Sequence, residues 1–169
     1  LGLAIGFGAQ SLVKDVITGF FIIFEDQFAV GDVIQTRTFK GTVEEIGLRV
    51  TRIRSWTGEV HIIPNGAITE VTNFSINNSL SVVDVYVAYD SNVERVIGIM
   101  KDTVQKLHAE NEQIVKIPEV LGVQALGAAE MTIRITAECM PDTSGQVARI
   151  LNEGIKKSLD QEGVKVRTG

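Results

Sequence analysis

Thirteen residues, Leu1 to Val13 (LGLAIGFGAQSLV), pass without a charge. Lys14 and Asp15 then interrupt the run, and the apolar pattern resumes as VITGFFIIF from Val16 to Phe24. A straight helix over these 24 residues is about 36 Å long. Neither apolar stretch alone reaches the roughly 18 uninterrupted residues expected of a membrane span. Residues 1–27 are therefore expected to form a helix that is either a partial span or a buried helix.

From residue 28 to 75 the pattern shortens to the scale of strands. Val33-Ile34, Gly41 to Ile46, Leu48 to Trp56 and Val60 to Ile63 are separated by turn signals at Phe39-Lys40-Gly41, Thr57-Gly58-Glu59 and Pro64-Asn65-Gly66. The spacing predicts a small, strongly bent sheet.

A third segment, 76–169, changes period again. Leu80 to Ala88 reads as a strand, and Ser91-Asn92-Val93-Glu94 is a capping-box pattern opening a helix to about Ala109. An apolar strand follows near Val120 to Leu126. The next strand alternates cleanly, with Met131, Ile133, Ile135 and Ala137 opposite Thr132, Arg134, Thr136 and Glu138, so one of its faces is buried. A helix from Ser144 to Gln161 places Val147, Ile150, Leu151, Ile155 and Leu159 on one stripe, and Val164 to Val166 opens a last strand. The class is α+β, ending in a ferredoxin-like βαββα layer.

Charge narrows the function. The formal net charge is −5, and no segment is basic overall. Residues 28–75 carry five acidic and five basic side chains. A nucleic-acid groove needs clustered cations to displace counterions, so no nucleic-acid partner is expected. The single cysteine, Cys139, excludes an intrachain disulfide and a thiolate metal cluster and suits a reducing compartment. The chain opens on Leu1 rather than Met and reads as a piece whose N-terminal part is missing.

Candidate chemistry lies in the first segment. Gly2 and Gly6 are four residues apart, as are Ala4 and Gly8, so small residues line adjacent helical faces and allow helices to approach closely. Glycine costs about 1 kcal/mol against alanine in a helix interior, so these glycines require a packing reason. Gly6-Phe7-Gly8-Ala9-Gln10-Ser11 is a poor dinucleotide loop, without a third glycine or a preceding strand. His61 and His108 have no partners at metal-ligand spacing, Ser144 lacks a nucleophile-elbow context, and no acidic pair stands out. Catalytic residues, metals and cofactors are therefore not expected, and the chain is not expected to be an enzyme.

The segments LGLAIGFGAQSLVKDVITGFFIIFEDQFAVGDVI, GTVEEIGLRVTRIRSWTGEVHIIPNG and NFS resemble the small-conductance mechanosensitive channel (MscS) family. The likeness runs from the pore helix through the β domain into the α/β domain. It implies a homo-oligomeric ring, a heptamer, in a bacterial inner membrane, with residues from about 25 onward in the cytoplasm. Membrane lipids and permeating ions are its implied partners, and release of ions and small solutes on osmotic downshock its implied function. The family narrows its pore at two apolar side chains one turn apart, matched here by Leu3 and Phe7, where Phe7 replaces the more familiar leucine. It bends the helix at glycine, matched by Gly19, while the other hinge position holds Ser11. Phe20, Phe21 and Phe24 are expected at an interface, and Lys14 near lipid headgroups. The family also closes its cage with a Pro-containing strand, which has no match before Gly169.

A second reading stays open. Gly31-Asp32-Val33 and Gly41-Thr42-Val43 also suit an Sm-like barrel, and Arg37, Arg49, Arg52 and Arg54 could form a patch on a soluble RNA-binding ring. The charge balance favours instead subunit contacts or a lining that ions pass.

Overall fold

A computed structural model describes residues 1–166 and divides the chain into two compact units, Leu1–Ile76 and Asn77–Gly169. Arg167, Thr168 and Gly169, the end of the expected 76–169 segment, lie outside the described residues.

In the first unit, helix α1 (Gly2–Phe24) runs without a break. It is long and apolar enough to cross a membrane, and only Asp15, Gly19 and Ile22 are buried. The alternative of a helix enclosed in a core is thus set aside. The helix closes with Asp26 at φ 51° and the Gln27 N–H returning to the Ile22 carbonyl at 3.1 Å, a left-handed C-terminal cap.

Five antiparallel strands follow: β1 (Val33–Thr36), β2 (Phe39–Ile46), β3 (Val50–Arg54), β4 (Val60–Pro64) and β5 (Thr72–Asn73), in the order β4-β3-β2-β1-β5. A register shift between Val43 and Glu45 bends the sheet, as bulges do. The turn expected at Phe39-Lys40-Gly41 lies instead at Arg37-Thr38, because Thr36 pairs with Phe39 and Arg37 takes φ 49°. Gly41 serves strand contact: a Cβ there would lie 2.2 Å from the Arg54 carbonyl oxygen. Ile22 joins Phe28, Ile34, Val43, Ile53, Ile63 and Ile68 in one core, so the end of α1 belongs to the β domain's interior.

The second unit is a βαββα layer: β6 (Ser79–Ala88), α2 (Val93–Glu110), β7 (Glu119–Leu126), β8 (Glu130–Cys139) and α3 (Ser144–Gln161). Strand β8 lies between β6 and β7, antiparallel to both. Its alternation resolves as expected, with Met131, Ile133, Ile135 and Ala137 buried against Met100, Val104, Val147, Leu151, Ile155 and Leu159. Ile150 of the expected stripe is only partly buried. Asn92 rather than Ser91 caps α2, accepting from the Arg95 N–H at 3.0 Å, because Asn92 is the last extended residue before the helix. The strand expected at Val164 to Val166 is an isolated bridge between Val166 and Val87.

On the sheet face away from the helices, Arg134 donates to both oxygens of Asp84 at 2.8 and 2.9 Å across directly paired positions. This hydrogen bonding holds the Asp84 carboxyl below its ordinary 3.8. The unfolded chain therefore takes up the proton first as pH falls. The pair's contribution is complete above 3.8 and fades as pH drops through the lowered value. In Arg134→Ala, a carboxyl NMR titration is expected to find Asp84 titrating at a higher pH than in wild type, since its hydrogen-bond and charge partner is gone.

Candidate functional site

Helix α1 offers three distinct faces. At about 100° per residue, Gly2 and Gly6 fall on one flank and Ala4 and Gly8 about 160° away on the other. The two small-residue stripes are therefore on nearly opposite flanks and not on adjacent faces as expected. Leu3 and Phe7 lie together between them, roughly 100° from each. All six positions are exposed, Leu3 at 80% and Phe7 at 75%. A Cβ on Gly2, Gly6 or Gly8 would meet nothing within 4 Å in the single chain.

The lower half of α1 is fastened to the β domain. Asp15, 4% exposed, accepts the Gly66 N–H on Oδ1 at 2.8 Å and Arg49 Nε and Nη2 on Oδ2, both at 3.3 Å. A Cβ on Gly66 would sit 2.7 Å from Asp15 Oδ1, so that close approach needs glycine. One turn on, a Cβ on Gly19 would sit 2.5 Å from Asn65 Nδ2 and 3.3 Å from the Leu48 carbonyl oxygen.

Asn65, fully buried, is held in place by its own partners. Its side chain donates to the carbonyls of Gly47 and Leu48 at 3.1 and 3.3 Å and accepts from Thr51 Oγ1 at 2.8 Å. The Asn65 N–H bonds the Arg49 carbonyl at 2.7 Å. Pro64-Asn65-Gly66 is thus more than a turn: it ties the start of β3 to the helix.

The remaining expected residues are placed as follows. Ser11 is exposed, and α1 passes uninterrupted through both Ser11 and Gly19. Phe20, Phe21 and Phe24 are exposed, with Phe20 edge-on to Phe21 and stacked on Phe24, both at 5.6 Å between ring centroids. Three of the four arginines read as a patch have carboxylate partners: Arg49 with Asp15, Arg52 with Glu45, and Arg54 with Glu44. His61 packs on Phe39, centroids 4.3 Å apart, and His108 Nδ1 lies 3.0 Å from the Ile114 carbonyl oxygen.

A largely exposed apolar helix, long enough to cross a membrane, is fastened to a bent five-stranded sheet, and a βαββα unit follows in the chain. Residues 11–76 match the family described as mechanosensitive ion channel, beta-domain, and residues 81–166 that described as mechanosensitive ion channel MscS, C-terminal. The chain is 41% identical over 162 residues to the small-conductance mechanosensitive channel of Caldanaerobacter subterraneus subsp. tengcongensis, covering 96% of this chain and 57% of that protein. It is 36% identical over 169 residues to the moderate conductance mechanosensitive channel YbiO of Escherichia coli, covering 98% of this chain and 23% of that one. A crystal structure of Helicobacter pylori MscS in a closed state superposes with a TM-score of 0.86 at 22% identity, over 99% of this chain and 67% of the other. The chain belongs to the MscS family of mechanosensitive ion channels. It spans little more than half the length of the first of these relatives and under a quarter of the second. The RNA-binding alternative finds no support among them.

Sequence reasoning missed the Asp15–Gly66–Asn65 lock. The available signal was Asp15 itself: a carboxylate breaking an apolar helix requires a specific partner. Removing its side chain leaves the Gly66 amide without an acceptor, a loss of about 1–3 kcal/mol. Asp15→Ala is expected to speed hydrogen exchange at Gly66 roughly ten- to a hundredfold, while Asp15→Asn, which keeps the acceptor oxygen, is expected to change it far less.

Proposed function

We propose that this chain is the pore-helix end and cytoplasmic part of a subunit of a bacterial mechanosensitive channel. Copies of α1 surround a common axis, with the Gly2/Gly6 flank of one packed on the Ala4/Gly8 flank of the next. The observation that carries this reading is the placement of Leu3 and Phe7 between two nearly opposite small-residue flanks. A helix with a neighbour on each flank turns that intermediate face inward. Two apolar collars one turn apart then exclude ions by staying dry. The family resemblance supports a heptamer in the inner membrane with residues from about 25 onward in the cytoplasm.

Segments 1–27, 28–75 and 76–169 act as pore helix, β domain and α/β domain. The last two hold the ring together and enclose a vestibule for ions and small solutes. Opening on osmotic downshock follows when tension favours the state of larger in-plane area, since an effector shifts an equilibrium only by the difference it meets between states. Ser11 and Gly19 are the hinge positions, and bending at Gly19 separates it from Asn65. Phe20, Phe21 and Phe24 face lipid or a neighbouring subunit.

The reading is tested in patches from cells expressing the full-length protein. Phe7→Ser, which admits water to a collar, is expected to lower the opening tension. Phe20→Ala with Phe21→Ala is expected to shift tension sensitivity or weaken the ring. Wild-type gating in both variants overturns the assignment of these faces.

A further inference from the structure

Asn65-Gly66 is the one Asn-Gly step in the sequence. An asparagine followed by glycine is the pair most prone to lose its side-chain amide, because no Cβ on the next residue hinders the backbone nitrogen from reaching the asparagine Cγ. Glycine cannot be exchanged for a safer residue here: a Cβ on Gly66 would sit 2.7 Å from Asp15 Oδ1 and 3.0 Å from Lys14 Cγ. The contact that fastens α1 therefore demands a self-reactive step.

The reaction has a defined course. The Gly66 nitrogen loses its proton and attacks Asn65 Cγ; the N–Cγ bond forms, the Cγ–Nδ2 bond breaks, and Nδ2 leaves as ammonia with that proton. Water then opens the succinimide ring at either carbonyl, giving aspartate if the new N–Cγ bond breaks and isoaspartate if the peptide N–C bond does. Each requirement is blocked in the folded chain. The Gly66 N–H is held by Asp15 Oδ1 at 2.8 Å, and a carboxylate so close opposes the negative charge that the nitrogen must take on to attack. The Asn65 carboxamide is pinned by the carbonyls of Gly47 and Leu48 and by Thr51 Oγ1. Main-chain bonds to Arg49 and from Ile68 fix the residue at both ends, and full burial excludes the water that completes the reaction.

We propose that Asn65-Gly66 is a latent deamidation site, kept unreactive by Asp15, and that its reaction makes release of α1 from the β domain a one-way event. In the product an oxygen replaces Nδ2 opposite the Gly47 and Leu48 carbonyls, where only a donor fits, and a carboxylate charge is added in a buried position. Isoaspartate also lengthens the main chain by a methylene ahead of Gly66 and carries its N–H out of register with Asp15. Neither product rebuilds the lock. All of these contacts lie within the first unit, so the device operates whatever the ring assembly.

The test ages purified full-length protein at mildly alkaline pH and measures aspartate and isoaspartate at position 65 by peptide mass spectrometry, against a synthetic peptide of residues 60–71. Wild type is expected to react roughly a hundredfold or more slowly than the peptide. Asp15→Ala is expected to react roughly ten- to a hundredfold faster than wild type while the β3 amides stay protected from hydrogen exchange, and Asp15→Asn, which keeps the acceptor oxygen, close to wild type. Asn65→Asp, one product installed genetically, is expected to speed Gly66 exchange as Asp15→Ala does. Should Asp15→Ala unfold, wild type carries the test alone: its slowing relative to the peptide is expected to match the exchange protection of the Gly66 amide to within about tenfold. Wild type reacting at the peptide's rate, equal rates in wild type and a folded Asp15→Ala, or a mismatch beyond that factor overturns the protective role of Asp15. Full Gly66 protection in Asn65→Asp overturns the one-way release.

Discussion

A carboxylate withdrawn from water in the middle of an apolar helix is sustained only where hydrogen-bond donors or a cation replace the lost solvent. Asp15 meets that demand with one backbone amide, from Gly66, and one guanidinium, from Arg49. Much of the first unit follows from this bond. It brings Gly66 against the helix so closely that no side chain fits there, aligns Gly19 with the buried Asn65 amide, and delivers Ile22 into the core shared by β1 to β4. Arg49 is half exposed, so the pair is only partly desolvated. The Gly66 amide, shielded from water, is the stronger determinant of geometry.

The upper part of α1 has no such internal partner. Its leucine, isoleucine and phenylalanine side chains are exposed in the single chain, and its glycines face open space. In water, a contiguous apolar surface of this kind is a marker of an interaction site. In a bilayer it is compatible with lipid on one side and with close helix contact through the small residues. The helix thus joins two regimes: a half whose exposed faces call for an environment outside the chain, and a half anchored by hydrogen bonds within it.

Several of the charges beyond α1 are paired with one another. Arg52 and Arg54 pair with Glu45 and Glu44, and in the second unit Arg134 grips Asp84 across β6 and β8. These pairs sit on strand surfaces, where each adds little stability but leaves little unbalanced charge for a polyanion. Lys14, like Arg37, Lys101, Lys106, Arg149 and Lys165, takes part in no ion pair among the described residues. Its nearest carboxylate in sequence is taken by another cation, so the charge on it is available to whatever occupies the space beside the helix.

The sequence by itself determined the α+β class, the order of the elements apart from β5 and the expected last strand, and the core of the second unit. Period-two alternation in β8 and period-3.6 spacing in α3 are local properties, and a single buried face enforces them. The family likeness was legible too, because its motifs are continuous runs of residues. Tertiary structure alone decided which turn residues closed the β1–β2 hairpin, that Gly41 and Gly66 are close-contact glycines, and that Asp15 reaches a residue 51 positions away. Those outcomes depend on which backbones meet across the fold, and spacing along a chain carries no record of that.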